Sequence, residues 1–540
     1  MPTRDRLLRA LAPLALLSLA AAAPGCAADD AKVEAGDEQD VTGTAVASKD
    51  KLWEGDLYYV RITSWDASKM TPGSLRDDTT TAGAEMSMFV ADAKSGAHCP
   101  DAETSDAKLV YKTKKFSLRT SGNLTNGTPK SSYKISLEQK DDRLFEMKAI
   151  NLKSMWNDVS QMREALAWKM FREAGVHAPR HTYAKLCVNG KYFGLYSMIE
   201  QVEKTFLEDH FGDNKKGNLY KAYWPERDLG PAELSYRKAA DGDDSGKQYK
   251  KEANVDDRTY QLKTNDAADD PPAAQTYDDL ALFTKAIAGI GLAGEGDARF
   301  DTAEYAASME KVFDVKGFLR WAGVNVMLGA WDNYWGTPAN YYVYNSGPKS
   351  APKDFMAKPY FTWIPWDYDN TFGSDFFGTK WQYTSIVDFE GSTKAYNGGR
   401  KTTNLPLLHN LLKNTKFLRY YLDHLEWFTH NVFDERWVTK AIGDETRGFR
   451  ARVQTAAFLE SDSPNGAAHT GRQYTNDEVY RHGFGHDELH KGSLNLEGIL
   501  HYVRMRHEHA ERELGELRRT HPRGSSGATF PARPESIPRK

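Results

Sequence analysis

The run Trp363-Ile364-Pro365-Trp366-Asp367-Tyr368-Asp369-Asn370-Thr371-Phe372-Gly373 decides how the chain is read. An apolar, strand-like stretch over 360–366 stops at two carboxylates, and Gly373 lets the backbone turn. Earlier in the chain, Asp332-Asn333-Tyr334-Trp335-Gly336 closes another apolar segment, and Asn340 leads into a second strand, Tyr341-Tyr342-Val343-Tyr344. If the two strands pair as a hairpin, the start of one lies beside the end of the other, so Asn340 sits next to Asp367 with the Asp332 loop above them. Two or three carboxylates and an amide oxygen gathered at one strand end suit a hard cation such as Mg²⁺. The ordinary alternative is that these acids cap turns and pair with nearby Lys or Arg. Paired acids at a buried strand end are costly without a cation, and this favours a site.

Working outward, Asp314 caps a helix in which Val315, Phe318, Leu319, Ala322, Val326 and Ala330 keep helical spacing. It ends directly before Asp332, which is therefore delivered by a packed element. Asn189-Gly190 between alternating runs at 182–188 and 191–200 is a hairpin, whose second strand leaves toward Glu203. Residues 52–140 hold short β-prone runs. Among them, the small-residue loop from Arg119 to Gly127 leads into a strand with Tyr133, Ile135 and Leu137 on one face and Lys134 on the other. A polar loop followed by one strand lysine suits phosphates, although a solvated lysine is the commoner origin of such a pattern. Asp158, with Gln161 after it, has the form of a capping box opening a helix through Met162, Ala165, Leu166 and Met170 to Gly175. Glu164 lies off that apolar stripe, where a surface acid would. Residues 224–276, rich in Asp, Lys, Gly and Ala, read as an insertion in which only 260–263 is strand-like. Helices are expected over 280–290, 405–414, 417–433 and 494–517. His482, His486 and His490 would share a helix face, but Gly483 and Gly485 favour a polar loop over a metal site.

Composition bounds the rest. The 540 residues suggest roughly two to four domains as a prior. The net charge of −4 argues against a general polyanion binder, and no nucleic-acid partner is expected, while a local basic groove stays open. No apolar run after the N-terminus is long enough to span a bilayer. Arg4, Arg6 and Arg9 precede an apolar stretch over 11–23, the form of a secretory signal. Its end, Ala23-Pro24-Gly25-Cys26, resembles the bacterial lipoprotein signal, which implies export and a membrane anchor through lipidated Cys26. Residues 27–50 then read as a flexible tether and 521–540 as a disordered tail. An exported compartment permits a disulfide between Cys99 and Cys187, and their spacing leaves the pairing open.

Several of these phrases together resemble the CotH (spore coat protein H) family, over about residues 110–520. The matching runs include the Arg119 loop with Ser132-Tyr133-Lys134-Ile135, Met162-Arg163-Glu164-Ala165-Leu166, and Val188-Asn189-Gly190-Lys191-Tyr192-Phe193-Gly194-Leu195-Tyr196-Ser197-Met198-Ile199-Glu200. Gly217-Asn218-Leu219-Tyr220-Lys221, Asp332-Asn333-Tyr334, Asn340-Tyr341-Tyr342 and the run from Ile364 to Gly373 complete the set. The resemblance implies an α+β, atypical protein-kinase-like fold over 51–520, with a β-rich N-lobe (51–200), a mainly helical C-lobe (201–520) and the active cleft between them. It also implies transfer of the ATP γ-phosphate to a surface or coat protein with Mg²⁺ or Mn²⁺. On that resemblance Lys134, with Glu164 as ion-pair partner, holds the phosphates, Arg119 begins the loop that covers them, and Glu200 marks the hinge beside the base. Asp332 orients or deprotonates the acceptor hydroxyl, and Asn340 with Asp367 or Asp369 holds the metal. The loop departs from the family: Arg119-Thr120-Ser121-Gly122-Asn123 stands where Arg-Gly-Asn-Ser is usual. ATP is scarce outside the cytoplasm, so a catalytically silent surface or coat-assembly protein, binding a protein or glycan, is the rival reading. A metal-dependent hydrolase is a third.

Overall fold

Short alternating runs become nine strands, all drawn from residues 58–200. The computed structural model describes residues 46–55, 57–66, 79–80, 83–94, 99, 108–122, 128–222, 232–250, 260–267, 270–388, 405–462 and 473–530. The strands are β1 (Tyr58–Thr63), β2 (Thr79–Thr80), β3 (Glu85–Val90), β4 (Leu109–Thr113), β5 (Phe116–Ser121), β6 (Ser132–Leu137), β7 (Ala149–Lys153), β8 (His181–Val188) and β9 (Lys191–Glu200). They form one sheet in the order β2-β5-β6-β7-β9-β8-β1-β3-β4. The β1–β8 pairing is parallel and the other neighbours are antiparallel. The β8–β9 turn is the expected hairpin, with Asn189 and Gly190 both at positive φ, as a type I′ turn requires. Period-2 alternation gives the sheet two buried faces. Val60, Ile135, Leu152 and Met198 share a small core with Leu52 and Trp53 of helix α1 (Lys49–Glu54), while Tyr59, Tyr183, Leu195 and Ile199 pack toward the rest of the chain.

Helix α2 (Arg163–Glu173) begins later than the expected capping box. Asp158 is buried instead in a charge pair with Arg163 (3.0 Å), and its oxygens also accept the backbone N–H groups of Ser160 and Arg163. Beyond α3 (Lys204–Phe211) comes a second sheet of β10 (Asn218–Ala222), β11 (Tyr260–Leu262), β12 (Tyr341–Asn345) and β13 (Phe361–Pro365), in the order β11-β10-β12-β13. Helices α4 (Asp278–Ile287), α5 (Ala303–Val312), α6 (Val315–Leu328), α7 (Pro406–Lys413), α8 (Thr415–Asn431), α9 (Glu435–Ile442), α10 (Gly448–Asp462) and α11 (Ile499–Leu517) complete a mixed α+β molecule. A small third sheet joins β14 (Ser374–Asp375), β16 (Leu494–Leu496) and β15 (Leu489–Lys491). Helix α6 is buried almost all round, so the chain leaving it is fixed by packing.

Several expectations change here. The tail is ordered as far as Phe530, which packs on Tyr420, His424 and Trp427. Arg518 pairs with Asp423 and Glu426, and Asp423 also accepts the N–H groups of Gly524 and Ser526. His482, His486 and His490 do not share a helix face: His482 lies in a π-helical turn, His486 is at positive φ and His490 is on β15. Cys99 and Cys187 are joined as a disulfide. No helix among the described residues is long and apolar enough to cross a membrane. The signal, Cys26, most of the tether and Asn123–Gly127 of the Arg119 loop lie outside the described residues.

Candidate active site

The β12–β13 hairpin has the register that the sequence implies. Tyr341 pairs with Pro365 and Tyr342 with Ile364, and Trp366 N–H donates to the Asn340 carbonyl at 3.2 Å. Exposure then singles out the polar residues. Between Trp331 and Gly347 only Asp332 and Asn340 keep partial exposure, and between Phe361 and Asp375 only Asp367 and Asp369 do. Tyr368, between the two acids, turns into the core. Its ring meets those of Trp168 and Phe171 edge-on at 5.2 and 4.6 Å, and its hydroxyl accepts from Trp321 Nε1 (2.6 Å) and donates to Asn325 Oδ1 (2.9 Å). Alternation about that anchor leaves both aspartates partly exposed on the side away from the core. Asp367 and Asn340 both sit at positive φ, a conformation that Asp and Asn tolerate better than most residues. The Asp332 turn is tied down by Asn333, whose amide donates to Asn325 Oδ1 and to the Ala330 carbonyl, while the Asn340 amide donates to the Asp332 carbonyl.

Two loops and one helix thus converge. Glu164, at the start of α2, is fully buried and accepts the Tyr368 N–H at 3.4 Å. Lys153, the last residue of β7, places its ammonium 2.7 Å from Asp367 Oδ1 and 5.7 Å from the centre of the Trp366 ring. Burial pushes Glu164 up to about 7; Lys153 opposes that and Asp367 adds to it. Asp369 is driven well above the carboxylate range by burial and then by Asp367 and Glu164. Burial lifts Asp332 to about 6, against hydrogen bonds from Thr337 (2.7 Å) and Asn370 (3.3 Å). The Lys153 ammonium is penalised by burial, but Asp367, Glu164 and Asp369 outweigh this and hold its proton more tightly than usual. This excess of acid fits a hard cation. Among the described residues no three His, Cys, Asp or Glu side chains converge as a ready ligand set, so the protein would supply one or two carboxylates and other oxygens the rest, the usual arrangement for Mg²⁺.

The structure therefore brings together Asp332, Asn340, Asp367, Asp369 and Glu164. Lys134 is not the lysine at this point: Lys153, at the end of β7, occupies the place beside Glu164 and the aspartates. Lys134 pairs with Asn151 on one side and Arg119 on the other, and cross-strand partners share a face. Arg119, Lys134 and Lys153 thus look out from the same face of the large sheet, with Lys153 nearest the acids. Glu200 points elsewhere, its carboxylate bound by Arg180, which also bridges Asp50 and Asp209. Alternation in Ala149-Ile150-Asn151-Leu152-Lys153 was the available signal for Lys153. For Asn325, which anchors both loops, nothing in the helical pattern marked it.

A family model described as "CotH kinase protein" matches residues 118–476. The chain is 26% identical to inner spore coat protein H of Bacillus subtilis over 282 residues, covering 49% of this chain and 61% of that protein. It is 25% identical to invasin CotH2 of Rhizopus delemar (59% of this chain, 47% of the invasin) and 23% identical to invasin CotH3 of the same fungus (54% and 42%). It thus spans about half the length of these relatives.

Proposed function

The chain belongs to the CotH kinase protein family, and from that premise we propose that it is an exported, metal-dependent protein kinase acting on a surface or coat protein. In this reading the nine-stranded sheet is the N-lobe and the chain beyond it the C-lobe of a kinase-like fold. ATP and Mg²⁺ or Mn²⁺ lie between them, supplying the phosphoryl group and neutralising its charge. One observation carries the reading: the residues left open at two converging strand ends are Asp332, Asn340, Asp367 and Asp369, with Lys153 beside them.

Lys153 would bind and orient a phosphate, its position set by Asp367 and the buried Glu164. Asp367 or Asp369 would hold the metal, with the Asn340 amide beside them. Asp332, fixed by Thr337 and Asn370, is the carboxylate placed to take the acceptor hydroxyl's proton, and its raised pKa suits a base working near neutrality. Export, with a lipid anchor at Cys26, is supported by the N-terminal signal and by the Cys99–Cys187 disulfide, since such bonds persist in oxidising compartments.

The rival reading, a catalytically silent assembly protein, draws on the same ion pair: Lys153 and Asp367 satisfy each other, so the fold needs no cation to balance them. Mature protein incubated with γ-labelled ATP and Mn²⁺ separates the readings. Label on itself or on a generic acceptor, abolished in Asp367→Ala, is the expected result. Free phosphate without labelled protein would make it a hydrolase, and no turnover with any metal would leave the assembly role.

A further inference from the structure

Across the cleft from Lys153 stands a second lysine. Lys221 of β10 is in register with Gln261 of β11 and Tyr342 of β12, so the three share a face of the smaller sheet. That face runs on through Ile364, opposite Tyr342, to Trp366. The Trp366 ring meets that of Tyr342 at 5.8 Å and has the Lys153 ammonium 5.7 Å from its centre. Lys221 and Lys153 therefore look into one space from two different sheets. Leu219, Tyr220 and Ala222 around Lys221 are buried, while Lys221 is half-buried. Its ammonium lies 5.9 Å from the Tyr342 ring and makes no hydrogen bond or ion pair with any described residue. Lys263, Lys153 and Arg119 are the cations nearest in effect, and the acid among these neighbours, Asp367, is already engaged by Lys153. Burial and these cations lower the Lys221 pKa to about 8. Such an ammonium is costly to keep unless an anion comes to it.

We propose that Lys221, supported by Lys263 and Arg119, is a polyphosphate-binding residue that grips the phosphate chain from the wall opposite Lys153. The inference rests on the nucleotide reading above for what carries the phosphates; the unpartnered Lys221 ammonium facing Lys153 by itself calls for an anion. Calorimetric titration of the full chain with inorganic tripolyphosphate, ATP and adenosine, each with Mn²⁺, tests it on the wild type, Lys221→Met and Lys221→Arg. The expected result is about tenfold or greater weakening of tripolyphosphate and ATP in Lys221→Met, with adenosine unchanged and Lys221→Arg close to wild type. Weakening of ATP alone would identify the nucleotide, and not free polyphosphate, as the source of the chain. Lys221→Gln gives the same readout if the apolar variant does not fold. Affinity for both tripolyphosphate and ATP within about twofold of wild type in the Met or Gln variant, or a wild type that binds neither, overturns the proposal. A wild type that binds tripolyphosphate through Lys221 but transfers no phosphate keeps this inference and removes the kinase reading.

Discussion

Asp367 and Asp369 stay partly exposed because Tyr368 between them is buried. A buried aromatic flanked by two acids at a strand end is a local pattern, so this part of the site was legible in the residues, as were Asp332 and Asn340. Lys134 and Lys153 were not separable that way. Each is the cation of a short alternating strand, and only the pairing of β6 with β7 shows which one meets the acids. Lys153→Met is therefore expected to lower ATP-dependent labelling by about 100-fold or more, the scale of losing one preorganised charge, while Lys134→Met leaves most of it. Filter-bound label from matched protein amounts is the measurement, and equal losses would contradict the assignment. Asp332 must be ionised to accept a proton, and burial holds its pKa at about 6. The rate should accordingly rise with pH through about 6 and level above it, and Asp332→Asn should remove both that limb and about 10²–10⁴-fold of the rate. A pH profile of kcat/KM on both proteins checks this.

Helices α2 and α6 do at the level of elements what Tyr368 does at the level of residues. Arg163 and Glu164 are consecutive, and both hold the acid loop: Arg163 Nε donates to the Thr371 carbonyl at 3.2 Å and Glu164 receives the Tyr368 N–H. From α6, the Asn325 carboxamide oxygen receives both the Tyr368 hydroxyl and the Asn333 amide, locking the two loops to one another. Helical spacing revealed α6 and its delivery of Asp332. It placed α2 too early, because the pattern does not distinguish a capping Asp from one buried in a charge pair. Arg163→Ala would leave the Asp158 carboxylate buried without its partner, and stability should fall by about 3–5 kcal/mol. Urea unfolding measures this, and a loss below about 1 kcal/mol would mean the pair is not held as described.

At the scale of the whole molecule, long-range links hold the large sheet to the rest of the chain. Lys130, before β6, forms a buried ion pair with Glu460 of α10, and both also bond the backbone of Leu195 on β9. The Cys99–Cys187 disulfide ties the segment between β3 and β4 to β8. Replacing both cysteines by serine should cost about 2–5 kcal/mol and remove any sensitivity of the melting temperature to reductant. A melt with and without dithiothreitol on both proteins reads this directly. The ordered stretch after α11 belongs here too. Its composition suggested disorder, yet Arg518 and Phe530 find partners on α8 that no local pattern could supply.

The residues by themselves determined the family, the hairpin at Asn189-Gly190, the helix that ends before Asp332, and the four polar side chains of the β12–β13 end. These follow from local periodicity, turn chemistry and the cost of burying acids, all of which act over a few neighbouring positions. The folded chain alone decided that Lys153 stands at the acids, that Glu200 faces Arg180, and that Lys221 looks across at Lys153. Each of these depends on which distant strands pair and in what register, and that is set by the packing of the whole core.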